Sequence, residues 1–279
     1  MKSIAAIQMA SGPNISANLH EVNRLVTLAA KNGAKLCVLP ESFVCMGMRE
    51  KDVLKVKEKA DGLGEIQQFL SNLAKKNKVW LVGGTIPLAA KDKNKIRASC
   101  LLFDDQGEQV ARYDKVHLFD VNLGKDKKNR YRESEMIEPG NKVVVVDTPF
   151  GRLGLAVCYD LRFPEFFRCM SEQAVEIITV PSAFTALTGK VHWEVLVRAR
   201  AIENLSYVIA PNQGGFHVNG RETFGHSMIV DPWGLIQAEH PQGSGVIYAD
   251  LDLTRLRQLR KNFPSIQHRQ FLCQHQAST

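Results

Sequence analysis

The sequence lacks any long apolar run. No stretch approaches the ~18–20 apolar residues that a membrane-spanning helix needs. The first residues, MKSIAAIQMA, pass directly into an alternating strand pattern and lack the long apolar core of a signal peptide. The 6 cysteines form no CxxC pair and follow no regular spacing. We therefore expect a cytoplasmic protein with free thiols and no membrane partner, since paired spacings are typical of disulfide or zinc proteins.

Patterns for metal and nucleic-acid binding are also missing. The sequence has no HExxH motif and no paired His/Cys spacing, which argues against a metalloenzyme. The net charge is +7, but the Lys and Arg residues are scattered and not interleaved with aromatics, so we expect no nucleic-acid partner. No linker or break in composition divides the chain. Residues 1–279 are interpreted as one domain that ends in a basic helix and tail over about 253–279.

What is present is a globular composition with alternating helix and strand patterns. With 279 residues, 44% of them hydrophobic, the chain can bury a large core. Short apolar strands such as LCVL (36–39) are typical of a sheet covered on both faces. We predict an α/β or α+β fold with a mixed sheet shielded by helices. Residues 120–142 are polar and irregular and are predicted to form a long surface loop.

The individual elements follow from hydrophobic periodicity, caps and turn residues. The first helix is predicted to open at a capping box made by Asn18 and Glu21. The predicted strands cover residues 3–8, 36–39, 79–83, 99–103, 109–113, 143–147, 152–158, 176–180, 206–210, 227–231 and 246–252. The other predicted helices cover about 64–76, 164–174, 190–204 and 253–262.

Three apolar stretches each end at a reactive side chain. LCVLPES delivers Glu41, ARYDKVHLF delivers Lys115 and GLAVCYDLRFPE delivers Cys158. Because sites gather beyond the carboxyl ends of strands in helix-covered sheets, we expect the three to share one site. Each also has a structural interpretation: a helix N-cap for Glu41, a surface lysine for Lys115 and a small buried hydrophobe for Cys158.

The chemistry of these groups suits acyl transfer. Cys158 precedes a strand-to-helix turn, where free backbone N–H groups such as that of Tyr159 can stabilise an oxyanion. The ammonium of Lys115 is expected to lower the pKa of the thiol, and Glu41 can serve as a general base. The pattern predicts a cysteine hydrolase whose site contains no histidine.

Other readings of the same residues stay open at this point. A papain-like protease needs a Cys–His pair, and three histidines could lie near the thiol, but the sequence around Cys158 has none of that family's QGxCGSCW-type surroundings. We interpret His217 as part of a glycine-rich loop and His226 as a core or edge residue. A catalytically silent binding protein is the alternative from a different class. The three histidines are His192, His217 and His226.

The motifs LPE, YDKVHLFD and CYDLRFPE resemble those of the nitrilase (carbon–nitrogen hydrolase) superfamily over nearly the whole chain. The resemblance implies a four-layer α-β-β-α sandwich, dimerised through its helical layers, with no metal or organic cofactor. It implies a catalytic triad of Glu41, Lys115 and Cys158, with the backbone N–H of Tyr159 at the oxyanion. Glu133, in RES before Pro139-Gly140, matches a second glutamate that helps to position substrate.

Further segments resemble the Nit branch of this superfamily. They are VHWEVL (191–196), RARAIEN (198–204) and GHSMIVDPWG (225–234). This resemblance implies hydrolysis of a small carboxylate-bearing primary amide to acid and ammonia. The last run and the 267–269 tail favour the group acting on deaminated glutathione over the omega-amidases of 2-oxo acid amides. The expected substrate contacts are Arg162, Phe184, Thr185 and Trp193.

Overall fold

The structure is a computed structural model that describes residues 2–123 and 130–271. The predicted loop segment 124–129 and the end of the predicted tail, 272–279, lie outside the described residues. The helices are α1 (Ile15–Lys31), α2 (Glu65–Asn77), α3 (Pro164–Glu172), α4 (Ala186–Asn204) and α5 (Leu253–Asn262). The strands are β1 (Lys2–Gln8), β2 (Leu36–Val38), β3 (Trp80–Val82), β4 (Ile86–Ala89), β5 (Ile96–Phe103), β6 (Gln109–Asp114), β7 (Asp120–Asn122), β8 (Arg130–Arg132), β9 (Val144–Thr148), β10 (Gly151–Leu155), β11 (Ile177–Thr179), β12 (Tyr207–Ala210), β13 (Gly214–Phe216), β14 (Glu222–Phe224), β15 (Ser227–Val230), β16 (Ile236–His240) and β17 (Gly245–Leu251).

Most of these strands form two mixed sheets. The 7-stranded sheet has the order β17-β1-β2-β3-β5-β4, with β6 paired to β5. The 6-stranded sheet has the order β16-β15-β12-β11-β10-β9. In each sheet the strands joined through helices run parallel, β1-β2-β3 in one and β10-β11-β12 in the other. Two short ribbons, β7-β8 and β13-β14, lie apart from the sheets.

The side chains of β1 show how the layers are arranged. Ile4 and Ala6 belong to a core cluster that also contains strands of the second sheet and residues of α3 and α4. Ala5 and Ile7, on the opposite face, pack in a separate cluster with α1 and α2. Successive strand residues therefore alternate between the sheet–sheet core and a helix layer, as the period of two requires. The result is an α-β-β-α sandwich, and the predicted fold is confirmed.

This topology brings one edge of each sheet together. β6 is antiparallel to β5, which is antiparallel to β3, so β6 runs in the same direction as β2 and β3. Glu41 follows β2 and Lys115 follows β6, so both lie at the same edge of the first sheet. Cys158 follows the parallel strand β10 of the second sheet. Reactive residues that are distant in sequence therefore meet beyond strand ends.

Several element predictions need correction. The first helix begins at Ile15, and the side chain of Asn14 caps it by accepting from the Ala17 N–H at 3.0 Å. Asn18 lies inside the helix, where its buried amide bonds the backbone of Gly12 and Val44 instead. The sequence pattern favoured the wrong asparagine because the bonds of Asn18 depend on how the loop at Gly12 and the distant segment at Val44 fold against the helix.

The remaining differences concern loops and helix starts. The glycine-rich segment at 214–220 begins a β-hairpin, with β13 paired to β14. α4 starts at Ala186 rather than near residue 190, and the predicted long loop contains β7, β8 and a short 3-10 turn at Glu133–Glu135. β4 and β16 were not predicted. No helix within the described residues is long and apolar enough to cross a membrane.

Candidate active site

Glu41 lies three residues beyond the end of β2, at a sharp turn. Ser42, the next residue, adopts the left-handed backbone conformation with φ 55°, and its N–H donates to the Thr85 hydroxyl at 2.9 Å. The Glu41 carboxylate is buried. Its Oε1 accepts from Lys115 Nζ at 2.8 Å, and its Oε2 accepts from the Ala183 N–H at 3.0 Å. Burial with two hydrogen-bond donors fixes this carboxylate in one orientation.

Lys115 is fully buried, which is rare for a lysine and requires compensating charge. Its N–H donates to Ala98 O at 3.0 Å, which extends the pairing of β6 and anchors the residue. Its Nζ contacts both oxygens of Glu133, at 3.0 and 2.8 Å, besides Glu41. Glu133 also accepts from the Phe119 N–H at 2.8 Å. One ammonium thus joins two carboxylates from different elements.

Cys158 lies where β10 has ended and a short 3-10 turn, Cys158–Arg162, begins. Its backbone is left-handed, with φ 44°, and its N–H donates to Pro181 O at 2.9 Å. A non-glycine residue at positive φ is strained and persists where its surroundings hold it. The Tyr159 N–H donates no hydrogen bond to any described residue. The turn therefore presents a half-buried thiol next to a free backbone donor.

Asp160 holds this turn against the segment that carries Lys115. Its fully buried carboxylate accepts from the Val157 N–H at 2.7 Å and from the Tyr113 hydroxyl at 2.6 Å. It also bonds the backbone and the ring Nδ1 of His117, at 3.2 and 2.7 Å. These bonds connect the residues flanking Cys158 with those flanking Lys115. Sequence reasoning missed this network, although its members lie within two positions of the reactive residues.

The electrostatics of the site give a neutral resting thiol. Burial raises the pKa of Cys158 well above its usual range, and the charge of Glu41 raises it further, although Lys115 and the Ala183 N–H oppose the shift. The expectation that Lys115 would lower the pKa of this thiol overall is therefore corrected. Burial lowers the pKa of Lys115, but Glu133 and Glu41 outweigh it, so that pKa is raised and the ammonium stays charged.

Two adjoining cavities meet at these residues. The larger one, of about 560 Å³, is lined by Glu41 and Glu133 and extends outward past Asn219 and Arg221 to Arg49. A narrow cleft, of about 20 Å³, is lined by Cys158 together with Arg162. The larger volume lies within the usual range of ligand sites, roughly 300–1,000 Å³. The cavities share five lining residues: Glu41, Phe119, Glu133, Thr185 and Arg221.

The predicted substrate contacts lie at different depths. Arg162, Phe184 and Thr185 line the narrow cleft, as does Tyr159. The Arg162 guanidinium lies 5.0 Å from the centroid of the Phe184 ring. Trp193 lines neither cavity: it is fully buried behind Phe184, with ring centroids 5.1 Å apart, and its indole N–H donates to His226 O at 2.7 Å. The position of Trp193 on its helix did not show whether the side chain lines the cavity or packs in the core behind Phe184.

The histidines considered for a Cys–His pair are engaged elsewhere. His192 Nδ1 lies 3.1 Å from Arg162 Nη1, and His226 Nδ1 lies 2.5 Å from Glu239. His217 is buried and bonds Ser11 O and the Thr223 hydroxyl, each at 2.8 Å. None of the three bonds Cys158 within the part of the chain that the structure describes. Over the same residues, no group of His, Cys, Asp and Glu side chains is arranged to hold a metal ion.

Comparison with known proteins assigns the class. The model of the family described as "Carbon-nitrogen hydrolase" matches residues 3–261, and the chain belongs to this family. It is a hydrolase that acts on carbon–nitrogen bonds other than peptide bonds. The resemblance inferred from the sequence motifs is thereby confirmed.

Particular relatives are similar over almost the whole chain. A protein of Synechocystis sp. named deaminated glutathione amidase is 43% identical over 271 residues, which are 96% of this chain and 98% of that protein. A human protein of the same name is 40% identical, with 95% of this chain and 81% of that protein covered. The crystal structure of Saccharomyces cerevisiae Nit3 superposes with a TM-score of 0.85 at 34% identity, covering 97% of each chain.

Proposed function

We propose that this hydrolase is an amidase that cleaves deaminated glutathione through a thioester on Cys158. The observation that carries the proposal is the ammonium of Lys115, 2.8 Å from Glu41 and 2.8 Å from Glu133, at the strand ends where the Cys158 turn also lies. The names of the similar bacterial and human proteins support the choice of substrate. The roles given below to Glu41, Lys115, Cys158 and Glu133 belong to this proposal.

In the first step, Glu41 accepts the thiol proton while the sulfur attacks the amide carbonyl. A base is needed because burial raises the pKa of Cys158 and keeps the resting thiol protonated. The carbonyl oxygen gains the negative charge. The Tyr159 N–H and the Lys115 ammonium stabilise it, since one of the two Nζ contacts to Glu133 can be exchanged for the substrate oxygen.

In the second step, the tetrahedral intermediate collapses and Glu41 returns the proton to the leaving nitrogen. The carbon–nitrogen bond breaks and the acyl group remains on sulfur. A water molecule then loses a proton to Glu41, attacks the thioester carbonyl and releases the acid, and the thiolate regains its proton from Glu41. A single carboxylate thus alternates between base and acid. Glu133 holds Lys115 and the Phe119 backbone in position for both steps.

The leaving group depends on the amide. The expectation of a primary amide that releases ammonia fits 2-oxoglutaramate. It is corrected for deaminated glutathione, a secondary amide whose scissile bond leads to cysteinylglycine. Both release 2-oxoglutarate, so one assay of this shared product compares them directly. Arg162 is proposed to bind the 2-oxo acid carboxylate, because it lines the same narrow cleft as Cys158.

The test is kcat/KM for deaminated glutathione against 2-oxoglutaramate, with product measured as 2-oxoglutarate. A higher value for deaminated glutathione supports the proposal. A clear preference for 2-oxoglutaramate would replace it with an omega-amidase, with the same mechanism. Turnover of neither compound, nor of any other small amide, would leave a catalytically silent binding protein.

The chain is also proposed to act as a homodimer in the cytoplasm. α4 exposes apolar side chains at helical spacing: Leu187 is 56% exposed, Val191 69% and Val195 66%. A self-complementary helical face of this kind suits a two-fold interface. Analytical ultracentrifugation of the wild type and of a Val191→Glu/Val195→Glu variant tests it. A monomeric wild type would contradict the proposal.

A further inference from the structure

Arg221 lies beside the candidate triad, although no motif or spacing in the sequence predicted it as a site residue. It is the residue before β14, in the hairpin that closes one side of the large cavity. Its Nη2 donates to Ala183 O at 3.1 Å, while the N–H of the same Ala183 donates to Glu41. Its guanidinium lies 5.5 Å from the centroid of the Tyr131 ring. The side chain is therefore directed at the site rather than into solvent.

The charge of this guanidinium is not neutralised inside the protein. No ion pair joins Arg221 to a carboxylate within residues 2–123 and 130–271, although Glu222 lines the same cavity. Its Nη2 bonds the uncharged carbonyl of Ala183, and its buried Nε has no partner among the described residues. An anionic ligand at the cavity face of this guanidinium therefore gains a charge-assisted hydrogen bond that no described carboxylate supplies. An oxyanion with paired oxygens suits the forked donors of an arginine best.

The position of Arg221 decides which part of a substrate it meets. It lines both cavities, whereas Arg162 lines only the narrow cleft beside Cys158. If the acyl group of the substrate binds at Arg162, the leaving half of the substrate extends past Glu41 into the large cavity. That cavity is wide enough for a dipeptide, and an ammonia leaving group would leave it empty.

We propose that Arg221 binds the carboxylate of the leaving group and selects amides whose leaving amine is a peptide with a free C-terminal carboxylate, such as cysteinylglycine. This inference rests on the function proposed above and deepens it. It makes Arg221 a specificity-determining residue and assigns the large cavity to the leaving half of the substrate. Arg162 and Arg221, which both line the narrow cleft with Cys158, then bind the two carboxylates of the substrate.

The test compares two substrates in the Arg221→Ala variant. The KM for deaminated glutathione is expected to rise about ten- to hundredfold, the usual effect of losing a charged hydrogen bond. The KM and kcat for 2-oxoglutaramate should change by less than about threefold, because that substrate has no leaving-group carboxylate. The shorter substrate also reports damage to Glu41 through Ala183, which would lower both activities equally and overturn the inference.

A matched residue and a matched substrate sharpen the result. Arg49, an exposed arginine at the outer end of the same cavity, serves as the control. An effect of Arg49→Ala equal to that of Arg221→Ala would mean general attraction by positive charge and would overturn a specific contact. Deaminated glutathione with its glycine carboxylate converted to a carboxamide should bind weakly to the wild type, with no further loss in Arg221→Ala.

The outcomes separate the two proposals. If the wild type cleaves neither substrate, the proposed function is wrong and the inference about Arg221, which rests on it, is wrong as well. If the wild type prefers deaminated glutathione but Arg221→Ala retains that preference, the function stands and the inference about Arg221 is wrong.

Discussion

Cys37 and Cys158 carry the same thiol in two different environments of the fold. Cys37 lies inside β2, fully buried among apolar side chains, and burial alone raises its pKa to about 12. Cys158 lies beyond the end of β10, half-buried, with Glu41, Lys115 and the Ala183 N–H acting on it. Cys37 is a small buried hydrophobe, whereas Cys158 is the nucleophile of the proposed mechanism.

The difference does not lie in a low thiol pKa, because burial raises the pKa in both environments. The two cysteines differ in the groups that surround each thiol. Inside a strand, the backbone groups are used by the ladder and the neighbours are apolar, so a thiolate has no donor and no base. Beyond the strand end, a carboxylate, an ammonium and a free N–H converge. Reactivity here follows from position at the edge of the sheet.

The largest effect is expected from Cys158→Ala. Loss of the nucleophile should lower kcat by at least about 10⁴-fold, because no thioester can form. Steady-state release of 2-oxoglutarate measures it, with Cys100→Ala as the matched control, since Cys100 is buried in β5. Near-native turnover in Cys158→Ala would remove the basis of the proposed mechanism.

Lys115→Met should affect both activity and stability. Removing an oxyanion donor lowers kcat by about 100- to 1,000-fold. It also leaves Glu41 and Glu133 close together without their shared cation, which typically costs about 3–5 kcal/mol for a broken buried pair.

Urea unfolding and single-turnover kinetics separate the two effects of this substitution. The double variant Lys115→Met/Glu133→Gln removes one of the two unpaired carboxylate charges. It should therefore recover part of the free energy of unfolding but none of the activity. If the double variant is no more stable than the single one, the two carboxylates are not coupled through Lys115.

The sequence predicted where the reactive residues lie, but it did not predict the hydrogen bonds that hold them in position. Glu41, Lys115 and Cys158 could be grouped because each ends or follows a predicted strand, and the ends of β2, β6 and β10 meet at one edge of the two sheets. The burial of these strands differs, since β2 is fully buried and β6 is largely exposed or half-buried. Ala183 and Asp160 could not be assigned in this way, because their roles depend on hydrogen bonds between segments far apart in sequence. The same limitation explains the misplaced cap at Asn18.

The two arginines near the thiol show that substrate-binding residues are also hard to find from sequence when they come from distant segments. Arg162 was expected at the site because the resemblance implies substrates with carboxylates and Arg162 lies in the same motif as Cys158. Arg221 is 63 positions farther along the chain than Cys158, and only the folding of its hairpin against Ala183 brings it there. Sequence spacing identifies residues that share an element, whereas the walls of a cavity come from several.

Asp160→Asn tests whether the activity of Cys158 depends on the hydrogen bonds by which Asp160 holds its turn. Cys37 is fixed by strand pairing, but the turn of Cys158 is held by Asp160 through the Val157 N–H and Tyr113. An amide nitrogen in place of Oδ2 opposes both of these donors, and in the flipped orientation it opposes the backbone N–H of His117. We expect kcat to fall by roughly ten- to hundredfold, with KM nearly unchanged, as for a small misplacement of reacting groups.

Asp114→Asn is the control for this experiment, because Asp114 adjoins Lys115 but bonds Arg112 and Ser99 rather than the Cys158 turn. Equal losses in both variants would mean that any carboxylate near Lys115 matters, and the network would carry no special role.

The smallest effect, a change of about tenfold per pH unit, is expected in the alkylation of Cys158 by iodoacetamide. Its pKa is raised, so the thiolate fraction at pH 7 lies below that of a free cysteine and increases as the pH rises toward that pKa. The rate, followed by mass spectrometry of the native protein, should therefore rise from pH 6 to pH 9 without a plateau. Cys37 and Cys100 should react only after unfolding in urea, because both are fully buried. A plateau below pH 7 would mean that Lys115 outweighs burial and Glu41, and that Cys158 differs from Cys37 in its own acidity as well as in its neighbours.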